Sequence, residues 1–181
     1  DQTERFPCLE AMRETLSLNR NDESAQASAT ARLAHIRENY TYDPDTGVVA
    51  NARGTGFKTK RGYLRFGGKC EAQAHQIAWF LHYGKWPERG IDHINGEKTD
   101  NRISNLRLAD QSQNMANVGK YRTNTSGFKG VSLRKDTHKW QASIMVGGRN
   151  KNLGSFPTPE DAHRAYCEAA SRAFGEFARF G

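Results

Sequence analysis

The sequence predicts an α+β protein built from two small units, and three observations carry that expectation. Residues 91–118 have the order strand, loop, strand, helix. Residues 139–146 alternate strictly, with Trp140, Ala142, Ile144 and Val146 on one face and Gln141, Ser143 and Met145 on the other. Elsewhere, single-faced helical stripes stand beside short strands bounded by glycine, without the regular strand–helix alternation of a parallel sheet.

In chain order, Leu9, Met12 and Leu16 recur at helical spacing and predict a short amphipathic helix. Asn19–Thr30 is polar and rich in Ala and Ser, so residues 1–30 are expected to be an extension, either helical or poorly ordered. Leu33, Ile36 and Tyr40 then mark a helix running into the turn signal Asp43-Pro44-Asp45-Thr46-Gly47. Short strands are expected at Val48–Ala50, Gly56–Lys58 and Tyr63–Phe66. Ala74, Ile77, Ala78 and Leu81 share one helical face, which Gly84 and Pro87 end.

Ile91–Ile94 reads as a strand, Asn95-Gly96 as a tight turn and Leu106–Leu108 as a second strand. Asp110 is a good N-cap for a helix through Val118. After a polar connection, Gly119–Gly127, strands are expected at Phe128–Leu133, Lys139–Val146 and Lys151–Phe156, with Gly147-Gly148 as the hairpin turn. Thr158, Pro159 and Asp161 open a last helix. Its stripe of Ala162, Ala165, Tyr166, Ala169 and Ala173 is narrow enough to lie close on a sheet, and Gly175 stops it. The expected division is 1–30, 31–122 and 123–181.

The chain has 181 residues, 27 Lys and Arg against 20 Asp and Glu, and a formal net charge of +7. Its basic residues are grouped. Six lie between Arg53 and Lys69 without an acid, and eight between Lys120 and Lys151 with only Asp136 opposing them. Such stretches, interleaved with glycine and aromatics, suit a phosphate backbone, although a solvated basic surface has the same composition. Three cysteines, Cys8, Cys70 and Cys167, are widely spaced and form no CxxC pair, so neither a structural zinc site nor a disulfide framework is expected. With no apolar run of membrane length and no visible signal peptide, the expectation is a reduced, cytoplasmic protein with no membrane partner.

The chemistry concentrates in Ile91-Asp92-His93-Ile94-Asn95-Gly96, then in Asp100-Asn101-Arg102-Ile103-Ser104-Asn105-Leu106-Arg107, and finally in Gln113-Asn114. Adjacent strand residues point to opposite faces, so a joint role for Asp92 and His93 needs a bulge, a twist or a strand end there. The first turn of the following helix is placed to bring Asn114 towards Asp92. A carboxylate and an amide oxygen are hard ligands suited to Mg²⁺.

These residues resemble the HNH endonucleases of phages and mobile elements, over about Ala31 to Asn117 and including Ala74-His75-Gln76-Ile77-Ala78-Trp79. The resemblance implies a ββα-metal fold and hydrolysis of DNA phosphodiesters to 5′-phosphate and 3′-hydroxyl ends. It implies Asp92 and Asn114 as ligands of Mg²⁺ or another divalent cation such as Mn²⁺, His93 as general base, and Asn105 as the group orienting it. The spacings of twelve and twenty-one residues from His93 are compatible with that unit. His75 occupies a position often held by His in this branch, where it contacts a phosphate or simply starts a helix. Arg102 and Arg107 stand near the site as phosphate ligands or solvated loop arginines.

The C-terminal segment, about Ser126 to Phe174, resembles the plant Apetala-two/ethylene-response-factor (ERF) DNA-binding domain. That implies a three-stranded antiparallel sheet on one helix, with the sheet facing double-stranded DNA through Lys129, Arg134, Trp140, Lys151 and Asn152. Ser132 replaces the usual Arg and Asn152 the usual Trp, so base preference does not transfer. Trp140 is equally suited to anchor the core. The combined expectation is a DNA endonuclease of nicking, homing or phage type, monomeric by preference and targeted by its C-terminal unit. The alternative is a non-catalytic DNA-binding regulator.

Overall fold

The computed structural model describes the backbone of residues 9–181 and the side chains from Ser24 onward. Cys8 and the face expected for Leu9, Met12 and Leu16 lie outside the described residues. The chain mixes helices and short strands, consistent with the α+β class.

A single helix, α1 (Leu9–Asn39), runs through the stretch where the sequence leaves a helix or a poorly ordered extension. Leu9–Asn39 is rich in alanine and holds neither Gly nor Pro, so nothing in it interrupts the hydrogen-bond ladder. The helix stops one residue before Tyr40, expected to be helical. Tyr40 instead opens β1 (Tyr40–Tyr42), which pairs antiparallel with β2 (Val49–Asn51) around the Asp43–Gly47 turn. The reason is packing: the Tyr40 ring is buried edge-on against Phe66, with centroids 5.1 Å apart.

A second small sheet follows, β3 (Phe57–Lys58), β4 (Leu64–Phe66) and β5 (Ala72–Gln73), all antiparallel. It leads directly into α2 (Ala74–Tyr83), whose Gln76 side chain accepts from the Gln73 backbone at 3.1 Å. Gly84 ends the helix at φ 72°. Ala74, Ile77 and Ala78 are buried as the stripe predicts, and join Ile36, Val49 and Phe66 in the principal core.

Against this core lies the ribbon of β6 (Gly90–His93) and β7 (Leu106–Ala109), with a 3₁₀ turn at Ile103–Asn105 before β7. The helix α3 (Gln111–Asn117) follows. Asp110 and Gln113 cap it reciprocally, each side chain accepting from the other's backbone N–H at 2.8 Å.

The remaining elements are β8 (Val131–Leu133), β9 (Trp140–Val146), β10 (Arg149–Phe156) and α4 (Pro159–Phe174). The three strands form one antiparallel sheet with β9 in the centre, and α4 packs on it. β8 starts later than expected because Phe128–Gly130 forms a turn. There Gly130, at φ 73°, lies so close to the Tyr166 ring that a Cβ would fall 2.1 Å from Cδ2. The buried face of α4 is Ala162, Tyr166 and Ala170, while Ala173, expected on the stripe, is exposed.

After α4, a 3₁₀ turn at Gly175–Phe177 and the residues beyond it return to the ribbon and α3. The Arg179 N–H donates to Ala116 O at 3.4 Å.

Candidate active site

The ladder between β6 and β7 is regular: Ile91 faces Leu108, Asp92 faces Arg107 and His93 faces Leu106. No bulge aims the Asp92-His93 pair. The strand simply ends at His93, leaving its two last side chains on opposite faces of the ribbon.

On one face, Arg107 binds the buried Asp92 carboxylate, with Nε and Nη2 each 2.9 Å from Oδ2. Asn117 Nδ2 donates to both carboxylate oxygens at 3.0 Å, and lies 2.7 Å from His93 O. On the other face, His93 Nε2 stands 3.1 Å from Asn101 Oδ1. With Nε2 carrying the proton, Nδ1 is the nitrogen with a free lone pair. His93 also packs against two more rings, Tyr63 at 5.9 Å and His75 at 5.1 Å. Burial holds the His93 pKa below the usual histidine range, and Asn101 and Asp92 only partly offset that. Burial, and then the neighbouring His93, push His75 down to about 3. Both imidazoles are therefore neutral at neutral pH.

Several expected contacts are made by other side chains. Asn105 does not touch the imidazole. Its Oδ1 accepts from Asn95 N at 3.0 Å and its Nδ2 donates to Asp100 O at 2.8 Å, so it closes the 94–105 loop on itself. The side chain that meets His93 is Asn101, only 1% exposed, whose backbone oxygen accepts from the Tyr42 hydroxyl. Asn114 does not reach Asp92. It lies beside Gly90, where an added Cβ would be 3.1 Å from its Nδ2. α3 runs alongside β6, so about 4.5 Å further down the helix Asn117 meets the carboxylate two residues further along the strand.

The expected DNA contacts divide in the same way. His75, 6% exposed, lies behind His93 and presents no surface to a phosphate. Arg107 is engaged by Asp92. Arg102 is half-exposed, and its guanidinium is bound two-pronged by Asp100 at 2.8 and 2.6 Å. Lys129 is partly buried, its Nζ donating to Ala116 O and to Arg179 O, and burial lowers its pKa to about 8. Trp140 packs with Val131, Ala142 and Ala162 as a core anchor. Arg134 is exposed and paired with Asp136, and Lys151 is exposed on β10. Asn152, also exposed, accepts from Gly154 N at 3.0 Å and shapes the bulge in β10.

No group of three or more His, Cys, Asp or Glu that could hold a metal exists among the described residues. One carboxylate with an amide and main-chain carbonyls beside it suits a cation that keeps most of its waters and takes phosphate oxygens. That chemistry is compatible with Mg²⁺ or Mn²⁺ at Asp92, whereas Asn117 turns its Nδ2, a hydrogen-bond donor and not a ligand atom, to the same oxygens.

A two-stranded ribbon, a capped helix and an Asp–His pair at the end of the first strand define a compact ββα centre. Residues 72–116 match the HNH endonuclease family. Protein 3.8 of Escherichia phage T7 is 34% identical over 90 residues, covering 50% of this chain and 74% of that protein. An uncharacterized HNH endonuclease of Acanthamoeba polyphaga mimivirus is 36% identical over 88 residues, 49% of this chain but only 44% of that protein. No solved structure matches significantly. The chain carries an HNH endonuclease domain over residues 72–116. The family match stops at Ala116, one residue short of Asn117, and does not reach the C-terminal sheet.

Proposed function

We propose that this protein is a divalent-metal-dependent endonuclease that hydrolyses phosphodiester bonds of double-stranded DNA. The observation that carries this is the neutral His93, held through Nε2 by Asn101 at 3.1 Å and next in the strand to Asp92. His93 Nδ1 takes the proton of the attacking water, and a depressed pKa keeps that nitrogen ready to accept it. Asn101 fixes the tautomer, and Asn105 fixes the loop that carries Asn101. Asp92 would hold the cation, whose chemistry is to stabilise negative charge on the phosphate and on the departing 3′ oxygen, and Asn117, donating through Nδ2 to both carboxylate oxygens, would orient that carboxylate. Arg107 pairs with the same carboxylate through Oδ2.

The C-terminal sheet and α4 are proposed as an ERF-like unit, residues 123–181, that positions the nuclease on DNA through its exposed basic side chains. Arg134 and Lys151 support that role better than Lys129 or Trp140, which are committed to packing. A purely regulatory DNA-binding role is less well supported, because an acid, a base and an orienting amide all stand together. Among the described residues no helix is long and apolar enough to cross a membrane.

The test is incubation with supercoiled plasmid in Mg²⁺ or in EDTA. Nicking in Mg²⁺, lost in EDTA and in His93→Ala, is the expected result. Wild-type-like cutting by His93→Ala removes the catalytic assignment.

A further inference from the structure

The last residues of the described chain sit on the catalytic ribbon, seventy positions from the arginine they hold. Arg107 Nη1 donates to Glu176 O at 3.0 Å, and its guanidinium carbon lies 3.8 Å from the Phe177 ring centroid. Phe177 is itself buried by this contact. Arg179 reaches Asn95 O at 3.4 Å and roofs the Asn95-Gly96 turn so closely that a Cβ on Gly96 would fall 2.0 Å from Nη1. Its amide is tied to Ala116, immediately before Asn117. The segment thus braces three parts of the centre at once: the arginine on β7, the active-site turn and the end of α3.

The consequence lies in what Arg107 is braced against. Asp92 is the one carboxylate of the centre, and three donors already occupy its oxygens, two from Arg107 and one from Asn117. Arg107 sits on Oδ2 and leaves Oδ1 to Asn117 alone, so a divalent cation that takes both oxygens meets the guanidinium, a like-charge neighbour shielded by protein. Arg107 has to withdraw for the carboxylate to bind the cation fully, and its other contacts are with Glu176 and Phe177.

We propose that residues 175–181 form a cap that stores Arg107 on Asp92, so that cap docking and metal binding at Asp92 oppose each other. This inference rests on the metal-dependent reading above. Thermodynamic reciprocity then requires that the cation loosen the cap by the same factor by which the cap weakens the cation. A released Arg107 has its guanidinium edge free for a phosphate oxygen, so DNA and metal together favour the open cap. Because the segment continues directly from α4, movement of the C-terminal unit on DNA is transmitted to the centre.

The experiment measures Mn²⁺ binding by the full chain without DNA, for wild type, Phe177→Ala and Phe177→Leu. The leucine variant keeps an apolar group in the pocket while removing the ring face, which guards against loss of fold. Hydrogen exchange of the wild type with and without Mn²⁺ needs no variant. Both variants should bind Mn²⁺ about fivefold more tightly or better. In the wild type, exchange of the Ala178 and Arg179 amides should speed up on adding Mn²⁺. Equal affinities with unchanged exchange overturn the cap and leave the nuclease reading standing. Absence of Mn²⁺ binding in all three proteins removes the metal reading and the cap with it.

Discussion

His93 Nε2 and Asn101 Oδ1 meet at 3.1 Å on the buried face of the β6–β7 ribbon, and this contact decides which imidazole nitrogen is free. Asn101→Ala should lower kcat by about 10–100-fold with little change in KM, as for other groups that orient a reacting histidine. Asn101→Asp is the more discriminating change. A carboxylate beside Nε2 favours the imidazolium, so the acid limb of the pH–rate profile should move to higher pH. An unshifted acid limb in Asn101→Asp, with wild-type kcat in Asn101→Ala, would count against Asn101 as the positioning group.

His75 supplies a stability prediction. Its folded-state pKa is pushed down to about 3 by burial and by His93, whereas in the unfolded chain it titrates near 6.5. Between those values the unfolded chain binds a proton that the folded chain does not, so stability rises with pH across that window. The stability associated with neutral His75 is fully present above about pH 6.5 and is lost as pH falls towards 3. Melting temperature should drop over that range, and His75→Phe, which keeps an aromatic ring beside Tyr63, should flatten the drop. A wild-type pH dependence in His75→Phe would assign the effect to other groups.

Asn114 and Asn117 make competing claims on Asp92, one from family spacing and one from geometry. Asn117→Ala removes both carboxylate contacts and should cost activity by at least tenfold. Asn114→Ala should stay within about threefold, because its amide lies beside Gly90. Single-turnover cleavage at saturating Mg²⁺ compares them directly. The reverse order of damage would restore Asn114 as the ligand.

Local chemistry was legible in the sequence and long-range register was not. The Asp110 and Thr158 caps, the Gly84 stop and the Gly147-Gly148 turn each act within a few residues, and the structure forms α2, α3, α4 and the β9–β10 hairpin where those signals lie. Two-residue β5 is too short to show alternation, and Tyr40 leaves helix for strand because Phe66, distant in sequence, completes its packing. Asn101 and Asn105 differ in role only through the way the loop folds back on itself. Asn117 and not Asn114 meets the Asp92 carboxylate because of the direction α3 takes along β6. The contact of Phe177 with Arg107 leaves no periodicity to detect. In each case the missing information is a tertiary approach between segments that carry no shared local signal.

The basic residues of the C-terminal unit separate into braces and free charges, and salt dependence can tell them apart. Lys129 Nζ is committed to the carbonyls of Ala116 and Arg179, linking the turn before β8 to α3 and to the chain end. Lys129→Ala should therefore weaken the fold, by about 1–3 kcal/mol for two charged hydrogen bonds partly open to water, and leave the salt slope of DNA binding intact. Arg134 and Lys151 are exposed, and Asp136, also exposed, is the acid that competes with DNA for Arg134. Changing both to Ala should flatten the slope by about 0.9 for each phosphate no longer neutralised, with melting temperature nearly unchanged. Deleting everything after Arg122 is a blunter test, because it also strips Glu176 and Phe177 from Arg107 and so alters the centre itself. The measurement is DNA affinity across a salt series, with thermal melting, for wild type, Lys129→Ala and the Arg134→Ala/Lys151→Ala pair. A flattened slope in Lys129→Ala with unaltered melting would return that lysine to the DNA-facing surface. An unchanged slope in the double variant would mean that this unit does not bind DNA through Arg134 and Lys151.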